Sequence, residues 1–212
     1  MNQELLVWPL FSTPVACTIL DVDTDEVLKF VSSLDYQQYS EKNGYHTKGI
    51  SVLNHPELSS LKKEIDKNMQ DFITKVLKIK VPDNGEYYLQ KSWVNLHKSG
   101  DFAQQHLHKN SMYSFVFYVD ANENSGDIFF AKTNTMGGCG FDAYDIEFHD
   151  HDLLNADDWF VTPQPGMLLM FPSNTYHGTK VNTSNDDRYS IAGNYFLRGT
   201  IGTDYTSYLT FN

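Results

Sequence analysis

Two periodicities of apolar residues divide the chain near residue 85. Before that point Leu58, Leu61, Ile65, Met69, Phe72, Ile73, Val76 and Leu77 recur every three or four positions, which predicts one helix with a single buried face. Pro56 suits the first position of that helix, where its missing N–H is no loss, and Val81-Pro82-Asp83-Asn84-Gly85 supplies turn chemistry to end it. A shorter helix is expected over TDEVLKFVSSL, capped by Asp23 or Thr24, and short strands over LLVWPLF and PVACTIL. Beyond residue 85 the pattern changes. EYYLQKSWVNLHK, QQHLH, SMYSFVFYV, DIFFA, YDIEF, GMLLMF, TYHGTKV and RYSIAGNYF read as strands, separated by SGD, NENSG, PQPG and NTSNDD. About eight short strands bounded by such turns predict a double-sheet jelly roll. The expected architecture is therefore mainly β, with an α+β N-terminal part and supporting helices.

The length of 212 residues suits one domain: residues 1–85 as supporting strands and helices, and 86–198 as the jelly-roll core. The stretch 132–161 is long, glycine-bearing and acidic, and reads either as a lid loop or as a solvated surface excursion. A net charge of -11 repels nucleic acid and anionic membranes, and no local basic patch offsets it, so neither is expected as a partner. Cys17 and Cys139 are too few and too far apart for a disulfide framework or a zinc ribbon, which fits a reducing cytoplasm. The opening MNQELLVWPLF lacks a basic leader, and no apolar run reaches the roughly 18 residues of a membrane span, so no export signal or membrane span is expected.

The candidate chemistry begins at His106 and His108 in QQHLHKN. Residues i and i+2 of a strand share a face, so the two imidazoles are expected to point together. The same spacing recurs at His149 and His151 in the acidic stretch, either as an accessory site or as surface histidines. In FPSNTYHGTKVNTSNDDRYSIAGNYF, His177 opens one strand, while Arg188 and Ser190 share a face of the next. Arg188 has Asp186 and Asp187 as possible neighbours for a simple ion pair. His97 reads as structural, and His46 and His55 fall outside the order of the other histidines.

A ligand pair on one strand, a histidine on a later strand and an arginine shortly beyond it resemble the non-haem Fe(II)- and 2-oxoglutarate-dependent oxygenases. The similarity is to their branch of phage and marine-bacterial oxygenases, distantly like prolyl 4-hydroxylases. It extends over WPLFSTPV, SWVNLHKSGDFAQQHLHKNS, SFVFYV with SGDIFF, and GMLLMFPSNTYHGTKVNTSNDDRYSIAGNYF. The resemblance implies a double-stranded β-helix with iron(II) at His106, His108 and His177, and with 2-oxoglutarate and O2 as cosubstrates. It further implies that Arg188 holds the distal carboxylate of 2-oxoglutarate, with Ser190 beside it. Asn95 and Asn194, with Trp93, Tyr113 and Tyr118 near them, are candidates for lining that pocket. The implied reaction is hydroxylation of a small-molecule or peptidyl substrate, yielding succinate and carbon dioxide, in the cytoplasm or in a host's cytoplasm if the protein is viral.

The sequence departs from the family at His108, where most relatives carry Asp or Glu. Either His108 takes the carboxylate's place, making the iron site one unit more positive, or the third ligand comes from elsewhere, such as Asp127 or the acidic stretch. Two other readings stay open: a cupin-like three-histidine metal enzyme that does not use 2-oxoglutarate, and a non-catalytic jelly-roll binding or virion protein.

Overall fold

The computed structural model describes residues 5–82, 84–132, 147–203 and 205–211. Its strands are β1 (Ala16–Ile19), β2 (Tyr36–Gln38), β3 (Tyr45–Thr47), β4 (Glu86–His97), β5 (Ala103–His106), β6 (Tyr113–Asp120), β7 (Ile128–Ala131), β8 (Asp158–Val161), β9 (Met167–Pro172), β10 (Tyr176–Thr179), β11 (Arg188–Ile201) and β12 (Leu209–Phe211). Two α-helices, α1 (Thr24–Val31) and α2 (Ser59–Asp71), precede β4. The strands form an eight-stranded sheet in the order β1-β9-β6-β11-β4-β3-β2, with β12 on β11, and a four-stranded sheet in the order β5-β10-β7-β8. All strand pairings within these sheets are antiparallel. This is the expected jelly roll.

Alternation along the central strands makes two cores from one sheet. On β6, Tyr113, Phe115, Phe117 and Val119 face the helices, while Val116 and Tyr118 face the second sheet. On β9, Leu168 and Met170 take the helix side, and Met167, Leu169 and Phe171 the other. A strand buried on both faces has no polar alternation, which is why SFVFYV and MLLMF are nearly continuous apolar runs. On the helix side, Leu61, Ile65, Met69, Phe72 and Ile73 complete the first core. Gln70 Nε2 donates to the Tyr87 carbonyl over 2.8 Å, and the Tyr195 hydroxyl donates to Asp66, tying α2 to the sheet.

Local signals account for the helix ends. Asp23 is the cap of α1, its carboxylate accepting the Glu26 N–H at 3.0 Å. Pro56 opens a single 3-10 turn, Pro56–Leu58, that leads into α2. After Asp71 the helix widens into a π turn over Phe72–Val76. The wider turn shifts the helical phase, so Val76, expected on the buried face, is exposed.

Several elements differ from expectation. LLVWPLF is not a strand, and Leu5, Leu6, Val7, Trp8, Leu10 and Phe11 are all exposed. The hairpin of β2 and β3 was not expected, because its YQQ and YHT strands carry no apolar alternation; it forms by adding to the edge of β4. Within the stretch expected to be a loop, residues 158–161 are strand β8, paired with β7. Residues 133–146 lie outside the described residues, and with them Cys139 and most of the expected strand YDIEF. No helix among the described residues is long and apolar enough to cross a membrane.

Candidate active site

Between the two sheets lies a cavity of about 370 Å³ with a cluster of imidazoles at one end and an arginine at the other. β5 and β10 bring the first two imidazoles together, since His106 and His177 are direct partners in the antiparallel pairing, with ring centroids 4.4 Å apart. His108 lies just past the end of β5 rather than on it, a correction to the strand expected over QQHLH. Its backbone N–H donates to the Ser173 carbonyl over 2.9 Å, and this bond turns the ring back towards the others. The His108 ring stands 5.2 Å from His106 and 5.0 Å from His177. One ring nitrogen of each residue lies within 4.8 Å of the others, the only such group of three metal-binding side chains among the described residues.

Each imidazole has its Nδ1 engaged elsewhere. His106 Nδ1 lies 2.7 Å from the Gln104 carbonyl, His177 Nδ1 2.9 Å from the Thr175 carbonyl, and His108 Nδ1 2.6 Å from Asn194 Oδ1. Oxygens that only accept hydrogen bonds require N–H at Nδ1, which leaves the Nε2 lone pairs free. The Nε2 atoms of His106 and His108 are 3.3 Å apart. Two nitrogens bound at right angles about 2.1 Å from one metal would stand about 3 Å apart, so the spacing suits adjacent positions on one ion. Burial lowers the pKa of His177 to about 3 and that of His108 to about 4, with the His106 ring adding to both shifts, so both present neutral imidazole. Ser114 supports the arrangement, its hydroxyl 2.9 Å from His108 Nδ1 and donating to Asn194 Oδ1 over 3.0 Å.

The far end is built around Arg188, which is only 1% exposed. Its Nη1 donates to the carbonyls of Ser125 and Gly126, both at 2.7 Å, and its Nη2 donates to Thr179 Oγ1 at 3.0 Å. Gly126 is required there: at φ +90 it turns its carbonyl to the arginine, and a Cβ would lie 2.3 Å from the Lys180 carbonyl oxygen. Arg188 does not pair with Asp186 or Asp187 among the described ion pairs; Asp186 accepts instead from Asn122 Nδ2. Nη1 is thereby fully used, while Nε has no partner among the described residues. The unused Nε–H and remaining Nη2–H form the edge that grips a carboxylate bidentately. The buried hydroxyl of Tyr118, on the same cavity wall, also lacks a partner among the described residues. An anionic group with two acceptor oxygens matches the orphaned donors and the Arg188 charge, on which Asp101 acts without a described ion-pair contact.

The remaining expected residues divide. Ser190 and Asn95 line the cavity, and Asn95 Oδ1 accepts from Trp93 Nε1 at 3.0 Å. Asn194, expected in the cosubstrate pocket, lies outside the cavity wall and reaches His108 instead. Tyr113 points to the opposite face, packed edge-on against Phe72 and Tyr87 in the helix-side core. Asp127 is not part of the ligand group; its carbonyl accepts the Lys180 N–H. His149 and His151 are exposed and belong to no such group among the described residues. Sequence reasoning did not select Thr179 or Ser114, and it assigned His97 a structural place. Alternation carried the missing signal for His97: residues 91, 93, 95 and 97 share one face of β4.

A jelly roll with convergent imidazoles at one end of a partly open cavity and a buried, anion-seeking arginine at the other fits a metal-dependent oxygenase of the double-stranded β-helix class. Residues 91–194 match the family model described as "Putative 2OG-Fe(II) oxygenase", and that segment contains all three histidines and Arg188. Residues 91–194 are thus a 2OG-Fe(II) oxygenase segment, and the cofactors of that family are iron(II), 2-oxoglutarate and O2. Solved structures share its fold. A Pseudomonas putida prolyl-4-hydroxylase superposes with a TM-score of 0.58 at 14% identity, covering 88% of this chain and 94% of that one. The non-heme alpha ketoglutarate dependent epimerase SnoN from nogalamycin biosynthesis gives 0.62 at 12% identity, covering 87% and 78%. HygX from Streptomyces hygroscopicus, solved with nickel and 2-oxoglutarate bound, gives 0.56 at 12% identity, covering 87% and 83%. No curated protein sequence matches the chain.

Proposed function

We propose that this chain hydroxylates a small-molecule or peptidyl substrate, with His106, His108 and His177 holding iron(II) and Arg188 holding the distal carboxylate of 2-oxoglutarate. The observation that carries this reading is the matched pair of cavity ends: three imidazoles with Nδ1 engaged and Nε2 free, facing a buried arginine whose carboxylate-binding edge is unused. When bound, the iron supplies oxygen activation coupled to oxidation of 2-oxoglutarate. The balanced outcome is R–H + O2 + 2-oxoglutarate → R–OH + succinate + CO2.

The protein's own residues do the positioning. His106 and His177 on the paired strands β5 and β10, with His108 just past the end of β5, would hold iron(II) through three protein ligands, and ligation by three residues would leave room on the metal for cosubstrate and O2. Arg188, backed by two carbonyls and Thr179, is fixed before the cosubstrate arrives, so little order is lost on binding. Ser190 adds a hydroxyl on the same wall, Asn95 a side-chain amide, and the apolar remainder, including Phe171 and Ile128, keeps bulk water from the reacting centre. The low cysteine count supports a reducing cytoplasm as the place of action, and the net charge of -11 supports a partner other than nucleic acid.

The test is single-turnover chemistry: protein reconstituted anaerobically with Fe(II) and 2-oxoglutarate is exposed to O2, and succinate is quantified. Stoichiometric succinate supports the reading. Metal binding without 2-oxoglutarate binding or succinate points to a three-histidine enzyme of cupin type, a reading that the histidine at position 108 specifically favours. Absence of metal binding points to a non-catalytic jelly roll.

A further inference from the structure

Directly across the β4–β11 pairing from Arg188 stands His97. Its side chain lines the same cavity and is 4% exposed, yet neither ring nitrogen has a hydrogen-bond partner among the described residues. A neutral imidazole carries one N–H donor and one acceptor nitrogen, and burying both unmatched is costly. The ring is also firmly seated. Gly44, at φ +71 in the turn between β2 and β3, approaches so closely that a Cβ there would lie 2.8 Å from His97 Cδ2 and 3.1 Å from Nε2. A polar ring pressed from behind into the wall of a cavity, with its polar atoms unmatched, is placed to meet a ligand.

We propose that His97 is a second recognition residue for 2-oxoglutarate, donating a ring N–H to the distal carboxylate alongside Arg188 and Tyr118. The proposal rests on the reading of this cavity as a 2-oxoglutarate site.

The donor inventory supports it. A carboxylate offers about four lone-pair directions. The unused donors at this end are Arg188 Nε–H, one Arg188 Nη2–H, the Tyr118 hydroxyl and one N–H of His97. Charge is matched as well. Burial first, and the Arg188 charge second, lower the His97 pKa to about 3, so His97 adds a hydrogen bond without adding a second cation. One guanidinium then faces one carboxylate, and the other donors select for shape.

The competing role for His97 is space filling under Gly44. The two roles separate in a calorimetric titration of anaerobic Mn(II)-loaded protein with 2-oxoglutarate and with 2-oxopentanoate, which carries a methyl group in place of the distal carboxylate. His97→Leu fills a similar volume and is expected to weaken 2-oxoglutarate binding about tenfold while leaving Mn(II) and 2-oxopentanoate binding unchanged. His97→Gln, which restores a donor, is expected to recover part of the loss and guards against a folding defect in the leucine variant. Unchanged 2-oxoglutarate affinity in His97→Leu, or equal losses for both keto acids, overturns the proposal. Failure of the unsubstituted protein to bind 2-oxoglutarate is a separate result: it removes the cosubstrate reading of the whole cavity.

Discussion

His108 Nδ1 lies 2.6 Å from the side-chain oxygen of Asn194, although 86 residues separate the two along the chain. That bond decides which nitrogen of His108 is free. The backbone carbonyls of Gln104 and Thr175 do the same for His106 and His177, but only His108 depends on a side chain that substitution can remove. Asn194→Leu is therefore expected to weaken Fe(II) or Co(II) binding about tenfold, the lower end of the usual range for such supporting partners. Asn194→Asp, which keeps the acceptor, is expected to retain affinity. Anaerobic competition against a chromogenic chelator measures both, and equal affinity in the leucine variant and the unsubstituted protein would falsify the assignment.

The three histidines are not equivalent in what their loss should do. His177 is 7% exposed and paired with His106 across the strands, so His177→Ala removes a ligand at the centre of the site and is expected to abolish stable iron binding and succinate formation. His108→Asp restores the carboxylate common in the wider class and lowers the charge of the iron site by one unit. It is expected to keep the iron and to sustain 2-oxoglutarate turnover at or above the original rate. Loss of folding in that variant, seen as a collapsed thermal transition, would show that His108 is chiefly a packing residue.

Arg188 combines a binding role with a structural one, and conservative replacement separates them. Arg188→Lys keeps a cation but not the fork, and it removes donors from the Ser125 and Gly126 carbonyls. The expected result is unchanged metal affinity, 2-oxoglutarate binding weaker by tenfold or more, and a stability loss of about 1–3 kcal/mol from the deprived carbonyls. Denaturant titration and calorimetry on the same variant report the two effects independently.

Acid should loosen the metal-free protein before it affects a typical domain of this size. The pKa of His97 and of His177 is lowered from 6.5 to about 3, and that of His108 to about 4, chiefly by burial. Because the folded-state values lie below the unfolded one, the unfolded chain binds more protons below pH 6.5. Stability is thus fully present above about pH 6.5 and falls as pH drops towards 4, by up to about 1.4 kcal/mol per pH unit for each group. Urea unfolding at pH 7, 6 and 5 measures the slope, which His97→Leu should make shallower. Mn(II) should protect the protein by occupying His108 and His177.

Much of this was legible in the sequence because the signals are local. Alternation and turn residues predict β4, β6, β9, β10 and β11 near their observed positions, and His106, His177 and Arg188 fall on the strands β5, β10 and β11 in the order that the sequence shows. The hairpin of β2 and β3 was not legible, since its strands are polar and owe their form to the edge of β4. The exposure of Val76 was missed because a π turn changes the helical phase without a sequence mark.

The sequence by itself determined the sheet-forming segments and the chemical types at the site, because strand alternation and ligand spacing are properties of neighbouring residues. Only the tertiary structure decided that Asn194 serves His108 rather than the cavity, that Arg188 turns one edge to backbone carbonyls and leaves the other free, and that His97 stands beside it with both nitrogens unmatched. These facts depend on register between strands far apart in the chain. A shift of one residue in the β4–β11 pairing would turn His97 to the other face, and nothing within either strand alone specifies that pairing.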